Sequence, residues 1–312
     1  MQSLIIAARA VIPVTLIMIL GALTRKLGTV SEKSFKDFNW VVFHYCLPIS
    51  LFMNIVNADL NSISNFSLVV FAIVSILIII GVSVLLTRNS SLPDEKLGVI
   101  IQGLFRTNFA ILGIPIVEGI YGTGNAAVAS VMIAFVLPVF NIMAVLVLQK
   151  YSGKQANLKM TLMNVLKNPL IIGALIGAVF KILHIPVPSL ALNTIQSFNR
   201  MTTPLSLFVL GGCFNYTSLA DNKKLLGIYT MLKMIIIPVI VLGTAVMIGY
   251  RGDELVTLLV LFGGPAAISS YTMAAQMGLD GDLASQCVVI STIVVVVTMF
   301  LFVMSFSALG LL

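Results

Sequence analysis

Charged residues are scarce in this sequence. Asp, Glu, Lys and Arg together make up 9% of its 312 residues, whereas 59% are hydrophobic, and the mean hydropathy is +1.10. Soluble domains carry roughly 25% charged residues. The composition therefore excludes an ordinary soluble domain and predicts a polytopic membrane protein.

Motifs of common hydrolases and nucleotide-binding proteins are also missing. The sequence contains no HExxH, no Gly-x-Ser-x-Gly, no P-loop and no pair of mid-span aspartates, which argues against an enzyme. Its three cysteines, Cys46, Cys213 and Cys287, are scattered singly, without the CxxC or Cys/His spacing of a metal site. We therefore expect packing roles for the cysteines, no metal and no organic cofactor.

Long apolar runs are abundant. Three charge-free stretches, 66–86, 119–148 and 283–312, are each long enough to cross about 30 Å of hydrocarbon as a helix. Less apolar candidates bring the number of predicted spans to ten, near residues 4–24, 38–56, 66–87, 97–120, 125–148, 164–183, 192–212, 225–249, 255–277 and 283–311.

Basic residues are distributed unevenly between the two sides of these spans. Twelve Lys and Arg lie in the loops after spans 1, 3, 5 and 7, and three lie on the opposite side. Positively charged loops stay in the cytoplasm, so we expect a multi-pass protein of the cell membrane with both termini outside. The same distribution accounts for the net charge of +7 without a nucleic-acid partner.

The second half of the chain repeats the first at a distance of 156 residues. Pro13 and Gly21 recur as Pro169 and Gly177, and residues 48–52 (PISLF) recur as residues 204–208 (PLSLF). Because each repeat has an odd number of spans, five, the second copy starts on the opposite side of the membrane and must cross it in the opposite sense. We predict an all-α fold of ten transmembrane helices in two inverted repeats, 1–148 and 164–312, joined by a cytoplasmic linker, 149–163.

Glycine and proline interrupt two of the predicted spans. Span 4 contains Gly113 and Pro115, span 9 contains Gly264, Pro265 and Ala266, and both copies read Pro-x5-Tyr. Broken helices at corresponding places in inverted repeats mark the solute sites of secondary transporters. We therefore expect the helices of spans 4 and 9 to break at residues 113–115 and at Pro265, and to cross there. The alternative is a simple proline kink.

Polar residues near these breaks are candidates for binding an anion. Half-helices that start after Pro115 and Pro265 would direct free N–H groups and positive dipole ends at a carboxylate. Asn108, Ser269 and Ser270 add amide and hydroxyl groups. The alternative for each of these side chains is a role in packing between helices.

Charged residues inside the spans form a second group of candidates. Arg106 and Lys233 either face a cavity or snorkel to the membrane surface. His44 and Arg200 lie four residues before equivalent prolines and should face one seam, although a lone histidine is usually a packing residue. Glu118 is a candidate for a coupling proton or for pairing with Arg106, and is otherwise a residue of the outer interface.

The span 4 pattern NxxxxGIPxxxxxYG, which begins at Asn108, resembles the motif of the auxin efflux carrier family. This family includes plant PIN auxin carriers and bacterial malate and malonate carriers. The resemblance covers the whole chain, including residues 168–170 (NPL) and the second break. It implies a scaffold of spans 1, 2, 6 and 7, a mobile unit of spans 3–5 and 8–10 that crosses at Pro115 and Pro265, and substrate contact by Asn108.

The long hydrophilic central loop of many plant members is missing, so a compact carrier of small organic acids is the better match. We expect a secondary active transporter of malate- or malonate-like carboxylates that works by alternating access or an elevator motion and is coupled to H⁺ or Na⁺. Expected partners are the organic anion, the lipid bilayer and, as an option, a second copy in a homodimer. The alternatives are efflux of a weak aromatic acid, an anion channel, and a receptor or scaffold without flux.

The predicted topology can be tested with single cysteines on a cysteine-free background. A membrane-impermeant maleimide should label Leu312→Cys in intact cells, because the carboxyl terminus is expected outside. Lys154→Cys, in the predicted cytoplasmic linker, should react only after the cells are permeabilised. The reverse pattern would contradict the inverted repeat.

Overall fold

The computed structural model describes residues 2–57, 66–122, 126–153 and 163–312, with side chains from residue 11 onward. Most of the predicted linker 149–163 lies outside the described residues. The regular secondary structure of the described chain is helical. The helices are α1 Gln2–Lys26, α2 Glu32–Val56, α3 Phe66–Thr87, α4 Asp94–Phe105, α5 Phe109–Tyr121, α6 Ala127–Tyr151, α7 Pro169–Ile182, α8 Ser189–Cys213, α9 Leu219–Ile248, α10 Gly252–Gly263, α11 Ile268–Gln276 and α12 Gly281–Ala308.

Short polar side chains start several of these helices. Ser31, Asn168 and Asp280 accept hydrogen bonds from backbone N–H groups two or three residues later, at 3.1, 3.0 and 2.8 Å. These caps satisfy donors that the first turn of a helix leaves unpaired. Asn168 is followed by Pro169 at the first position of α7, where the missing N–H is not needed.

Five of the described helices, α2, α3, α6, α9 and α12, are long and apolar enough to cross a membrane. Shorter apolar helices, including α5 and α7, accompany them. The outward face of α3 exposes Val74, Ile78 and Leu85, which suits contact with lipid. The all-helical class is thus confirmed for the described residues, with five candidate membrane spans, whereas the inverted ten-span arrangement stays a prediction.

Glycines bring two helix pairs into close backbone contact. At Gly21 of α1 a Cβ atom would overlap the carbonyl of Phe208 in α8, and at Gly211 of α8 it would overlap the carbonyl of Met18. At Gly173 of α7 a Cβ atom would likewise overlap the carbonyl of Pro48 in α2, and at Gly177 it would lie 3.2 Å from the backbone of Phe52. Small residues at such crossings allow helices to approach within a membrane, where packing rather than hydrophobic burial drives association.

The contacts of the repeated residues are reciprocal. Gly21 packs on Phe208, and Gly177, which lies 156 residues after Gly21, packs on Phe52, which lies 156 residues before Phe208. Reciprocal contacts of this kind are expected when two copies are related by a two-fold axis. The sequence repeat therefore coincides with a repeat of contacts between α1 and α8 and between α2 and α7.

Substitution of a buried crossing glycine should destabilise the fold. Gly211→Ala places a Cβ against the backbone of α1 and should lower the melting temperature in detergent. Gly81→Ala is the matched control: a Cβ there has no neighbour within 4 Å, so the change should be neutral or stabilising by up to about 1 kcal/mol through helix propensity. Equal melting temperatures for both variants would contradict the close crossing of α1 and α8.

Candidate functional site

The first helix break lies at residues 106–108, between α4 and α5. The expected break at Gly113 and Pro115 is therefore wrong, because α5 continues through both residues. At Pro115 the alternative of a proline within a continuous helix applies. A helix within a packed protein can accommodate a proline when its surroundings compensate for the lost hydrogen bond. The second break falls between Gly263 and Ile268 and includes Pro265 as predicted. The shared Pro-x5-Tyr spacing thus did not mark equivalent positions.

The two breaks pair with each other through their backbones. Asn108 N–H donates to the carbonyl of Pro265 at 2.8 Å, and Ala267 N–H donates to the carbonyl of Arg106 at 3.3 Å. Thr107 and Ala266 form an isolated antiparallel bridge between them. Backbone that leaves a helix in a membrane must find partners within the protein, and each break supplies them to the other.

Side chains complete the crossing. The Thr107 hydroxyl donates to the carbonyl of Leu261 at 2.8 Å, near the end of α10. The Ala266 N–H donates to the Ser291 hydroxyl of α12 at 3.0 Å. The C-terminal carbonyls of a helix and the N–H groups of irregular backbone would otherwise be unsatisfied, so these contacts stabilise the broken conformation.

A small polar cavity of about 100 Å³ opens beside the crossing. Residues of the first turns of α5 and α11 line this cavity, and the opening turn of a helix carries N–H groups without partners in that helix. The lining comes from the breaks and from α2, α5, α6, α8 and α11: Leu47, Ser50, Leu51, Asn54, Arg106, Thr107, Asn108, Ala110, Ile111, Leu137, Phe140, Asn141, Thr202, Thr203, Ser206, Ala267, Ile268 and Ser269.

Arg106 is the charged residue in the lining of this cavity. It is 4% exposed, so it does not snorkel to the membrane surface. Its Nη2 donates to Asn141 Oδ1 at 2.6 Å and its Nη1 to Met273 Sδ at 2.7 Å. These two donors contact Asn141 and Met273 and not Glu118, the partner that the sequence offered for Arg106. A guanidinium has five N–H donors, and a thioether is a weak acceptor.

Asn108 lies on the same wall and is 8% exposed. It is the N-cap residue of α5, but its side chain makes no capping hydrogen bond within that helix. The amide is therefore not used to cap the helix that Asn108 begins. Ser269, at the start of α11, also lines the cavity.

Lys233 is the second buried cation of the core. It is 1% exposed, lies in a π-helical turn of α9, and donates to the carbonyl of Leu104 at 3.0 Å. Snorkelling is therefore wrong for this residue also. Leu104 belongs to the last turn of α4, where unpaired carbonyls and the negative end of the helix dipole favour a cation. Lys233 stabilises the end of the broken helix and does not line the cavity.

Other candidates lie away from the cavity. His44 lines a separate apolar cavity between α2 and α7, where it stacks on Trp40. Arg200 is exposed, so the two do not share one internal seam. Pro115 is exposed and Glu118 is half-buried in α5. Gly113, Gly264, Pro265, Ala266 and Ser270 are buried beside the crossing without lining the cavity.

Several cavity residues are absent from the sequence-based set. Asn54 and Asn141 each follow a Phe within two residues in an otherwise apolar span. A polar amide inside such a span is costly unless it is partnered, which is the signal that could have identified both. Thr202, Thr203 and Ser206 of α8 carry no comparable signal, because hydroxyl side chains are common in membrane helices.

The described residues do not bring metal-ligating side chains together into a cluster. Within residues 2–57, 66–122, 126–153 and 163–312, no group of three or more His, Cys, Asp or Glu side chains could hold a metal ion. The cavity instead offers one guanidinium with amide, hydroxyl and backbone N–H groups, a combination that recognises a carboxylate.

Comparison with known proteins supports a role in transport. Residues 6–303 match the family described as Membrane transport protein. An uncharacterized transporter of Methanothermobacter thermautotrophicus is 23% identical over 294 residues, which cover 94% of this chain and 96% of the relative. Uncharacterized transporters of Methanocaldococcus jannaschii and Escherichia coli are 24% and 22% identical over 298 and 306 residues; these cover 90% and 92% of this chain and 93% of each relative.

Removal of the Asn141 amide should destabilise the protein, because the buried Arg106 guanidinium then loses an acceptor. Asn141→Ala should lower the free energy of unfolding by about 1.5–3 kcal/mol, the range for a hydrogen bond to a charged group. In an Arg106→Met background the same change should cost much less. Thermal unfolding of the four proteins of this double-mutant cycle gives the coupling, and equal losses in both backgrounds would show that the two side chains are not coupled.

Proposed function

The chain belongs to the membrane transport protein family, the auxin efflux carrier family that its span 4 motif resembles, and we propose that it is a secondary active transporter of small organic carboxylates. The observation that carries this proposal is the Arg106 guanidinium. It is buried, it lines a cavity, and its acceptors among the described residues are an amide oxygen and a thioether. A bound carboxylate would supply the missing acceptor, because buried charges need both pairing and hydrogen bonds.

The neighbours of Arg106 suit the same ligand. Asn108 and residues of the first turns of α5 and α11 line the cavity, and N–H groups at the start of a helix can donate to an anion. We assign Arg106 and Asn108 to the carboxylate, with Ser269 as a further hydroxyl donor. Gly264, Pro265 and Ala266 contribute indirectly, since they form the broken backbone that positions these groups.

The size of the cavity favours a small substrate. Its volume is about 100 Å³, well below the roughly 300–1,000 Å³ of pockets that hold drug-sized ligands. An acid of malate or malonate size fits this scale better than a weak aromatic acid. The polar wall on the α8 side, with Thr202 and Thr203, can hold a second polar group of such a substrate.

We propose an alternating-access mechanism in which a mobile unit of spans 3–5 and 8–10, taken from both inverted repeats, moves relative to a scaffold of spans 1, 2, 6 and 7. The cavity lies between α2 and α8 on one side and α5, α6 and α11 on the other. A displacement of one group against the other, as in an elevator, would open the cavity to alternate sides of the membrane. Reciprocal contacts of Gly21 and Gly177 support the two-fold relation that this motion needs.

Coupling to H⁺ or Na⁺ completes the proposal. Glu118, half-buried in α5, is the candidate for a proton. Backbone carbonyls at the two breaks are the candidates for Na⁺, as in other transporters with broken helices. We place the protein in the cell membrane with both termini outside, and we assign it no enzymatic activity.

Counterflow in proteoliposomes tests the carrier function. Vesicles loaded with unlabelled malonate or malate should transiently accumulate the labelled acid, because a carrier exchanges solutes one for one and a channel does not. Arg106→Gln should abolish this accumulation. Arg200→Gln is the matched control and should retain it, because Arg200 is exposed and outside the cavity.

Asn108 variants test the carboxylate contact in the same assay. Asn108→Ala removes a hydrogen bond to a charged group, worth about 1.5–3 kcal/mol, and should weaken affinity by roughly ten- to hundredfold. Asn108→Asp has nearly the same volume but repels an anion, so it should bind more weakly still. Melting temperatures show whether each variant is folded, and unchanged affinity in a folded Asp variant would remove Asn108 from the site.

A further inference from the structure

The charge of the cavity wall limits the charge of the substrate. Among the described residues that form this wall, Arg106 is the one charged side chain, and the other polar groups are Asn, Ser and Thr. Titratable residues on the surrounding helices, such as His44, Glu118 and Tyr271, do not line it. The wall thus offers one full positive charge and no negative one.

The helix dipoles at the crossing add little to this charge. The N-termini of α5 and α11 and the C-termini of α4 and α10 all end there. Each terminus is equivalent to about half a unit charge, positive at the N-terminus and negative at the C-terminus, so two of each largely cancel. Lys233 lies at the C-terminal end of α4, with its ammonium on the Leu104 carbonyl, and not on the cavity wall.

We propose that the site takes up its substrate as a monoanion, with one carboxylate on Arg106 and a neutral polar group at the other end of the molecule. This inference rests on the proposed function and names the substrate class more closely. Hydroxylated monocarboxylates and singly protonated dicarboxylates fit it. A dianion would leave one charge without a counter-charge in a small cavity between packed helices, which is strongly unfavourable.

The neutral end of the substrate has its own contacts. Ser50 and Asn54 of α2 and Thr202 and Thr203 of α8 line the cavity. The Thr202 hydroxyl donates to the carbonyls of Cys46 and Phe198 and can therefore only accept from a ligand, whereas the side chains of Asn54 and Thr203 carry both donors and acceptors. Groups of this kind suit a hydroxyl, an amide or a protonated carboxyl group. They would not compensate a second carboxylate as a cation would.

This inference predicts that the apparent affinity for a dicarboxylate depends on pH through the ionisation of the ligand itself. Above the second pKa of a dicarboxylate its monoanionic fraction falls about tenfold per pH unit. Apparent affinity scales with the competent fraction, so it should fall by the same factor. The affinity for an acid that stays monoanionic should show no such decline. The same acid serves as a control, because a change of its affinity with pH would have to come from Glu118, Lys233 or another group of the protein.

Malonate and its monoamide, malonamate, form the matched pair for this test. Isothermal titration of the purified wild-type protein with each acid at several pH values between 5 and 8 should show a nearly constant Kd for malonamate. The Kd for malonate should rise about tenfold per pH unit above its second pKa. The amide replaces the protonated carboxyl group with a neutral group of similar size, so the two ligands differ mainly in charge.

The other outcomes would each overturn a different claim. A malonate Kd that stays constant across this range would show that the dianion binds, which overturns the monoanion inference and leaves the proposed function intact. Parallel weakening of both ligands would assign the pH dependence to the protein and also overturn the inference. Failure of malonate, malonamate and lactate to bind at any of these pH values would overturn the proposed function itself.

Discussion

The backbone pairing between the two helix breaks is the interaction on which the rest of the site depends. Asn108 donates to Pro265 and Ala267 donates to Arg106, so neither segment could leave its helix at membrane depth without the other. This pairing fixes four helix ends in one place. It also positions Arg106 and Asn108, which belong to the paired segment itself, on the wall of the cavity.

The two buried cations of the core serve different purposes. Lys233 lies against the last turn of α4, where the helix dipole and an unpaired carbonyl already favour positive charge. Arg106 lies on the open side of the crossing, and its acceptors there are weaker than a carboxylate. Lys233 donates to a carbonyl at a helix end, away from the cavity, and stabilises the fold, whereas a cation with weak acceptors beside a cavity is suited to bind a ligand.

Close packing by glycine and loose packing at the cavity occur side by side. Gly21 and Gly211 hold α1 against α8, and Gly173 and Gly177 hold α7 against α2. Of these four helices, α2 and α8 also line the polar wall of the cavity, opposite the helices of the crossing. A boundary that contains a cavity and hydroxyl groups is easier to rearrange than a glycine crossing, since packed interiors tolerate little change of volume.

Composition and spacing by themselves determined the helical class, the repeat of 156 residues, the second break at Pro265 and the presence of Arg106 and Asn108 as polar groups within an apolar span, because these follow from apolar run lengths and local chain chemistry. Tertiary structure decided that the first break lies at residues 106–108 and that Pro115 is accommodated within a helix. It also brought Asn141 and Met273 to Arg106 from 35 and 167 residues away and placed Arg200 on the surface. The physical reason is that a buried polar group or a helix break is stable only when distant residues satisfy its hydrogen bonds, and those partners are set by how the helices pack.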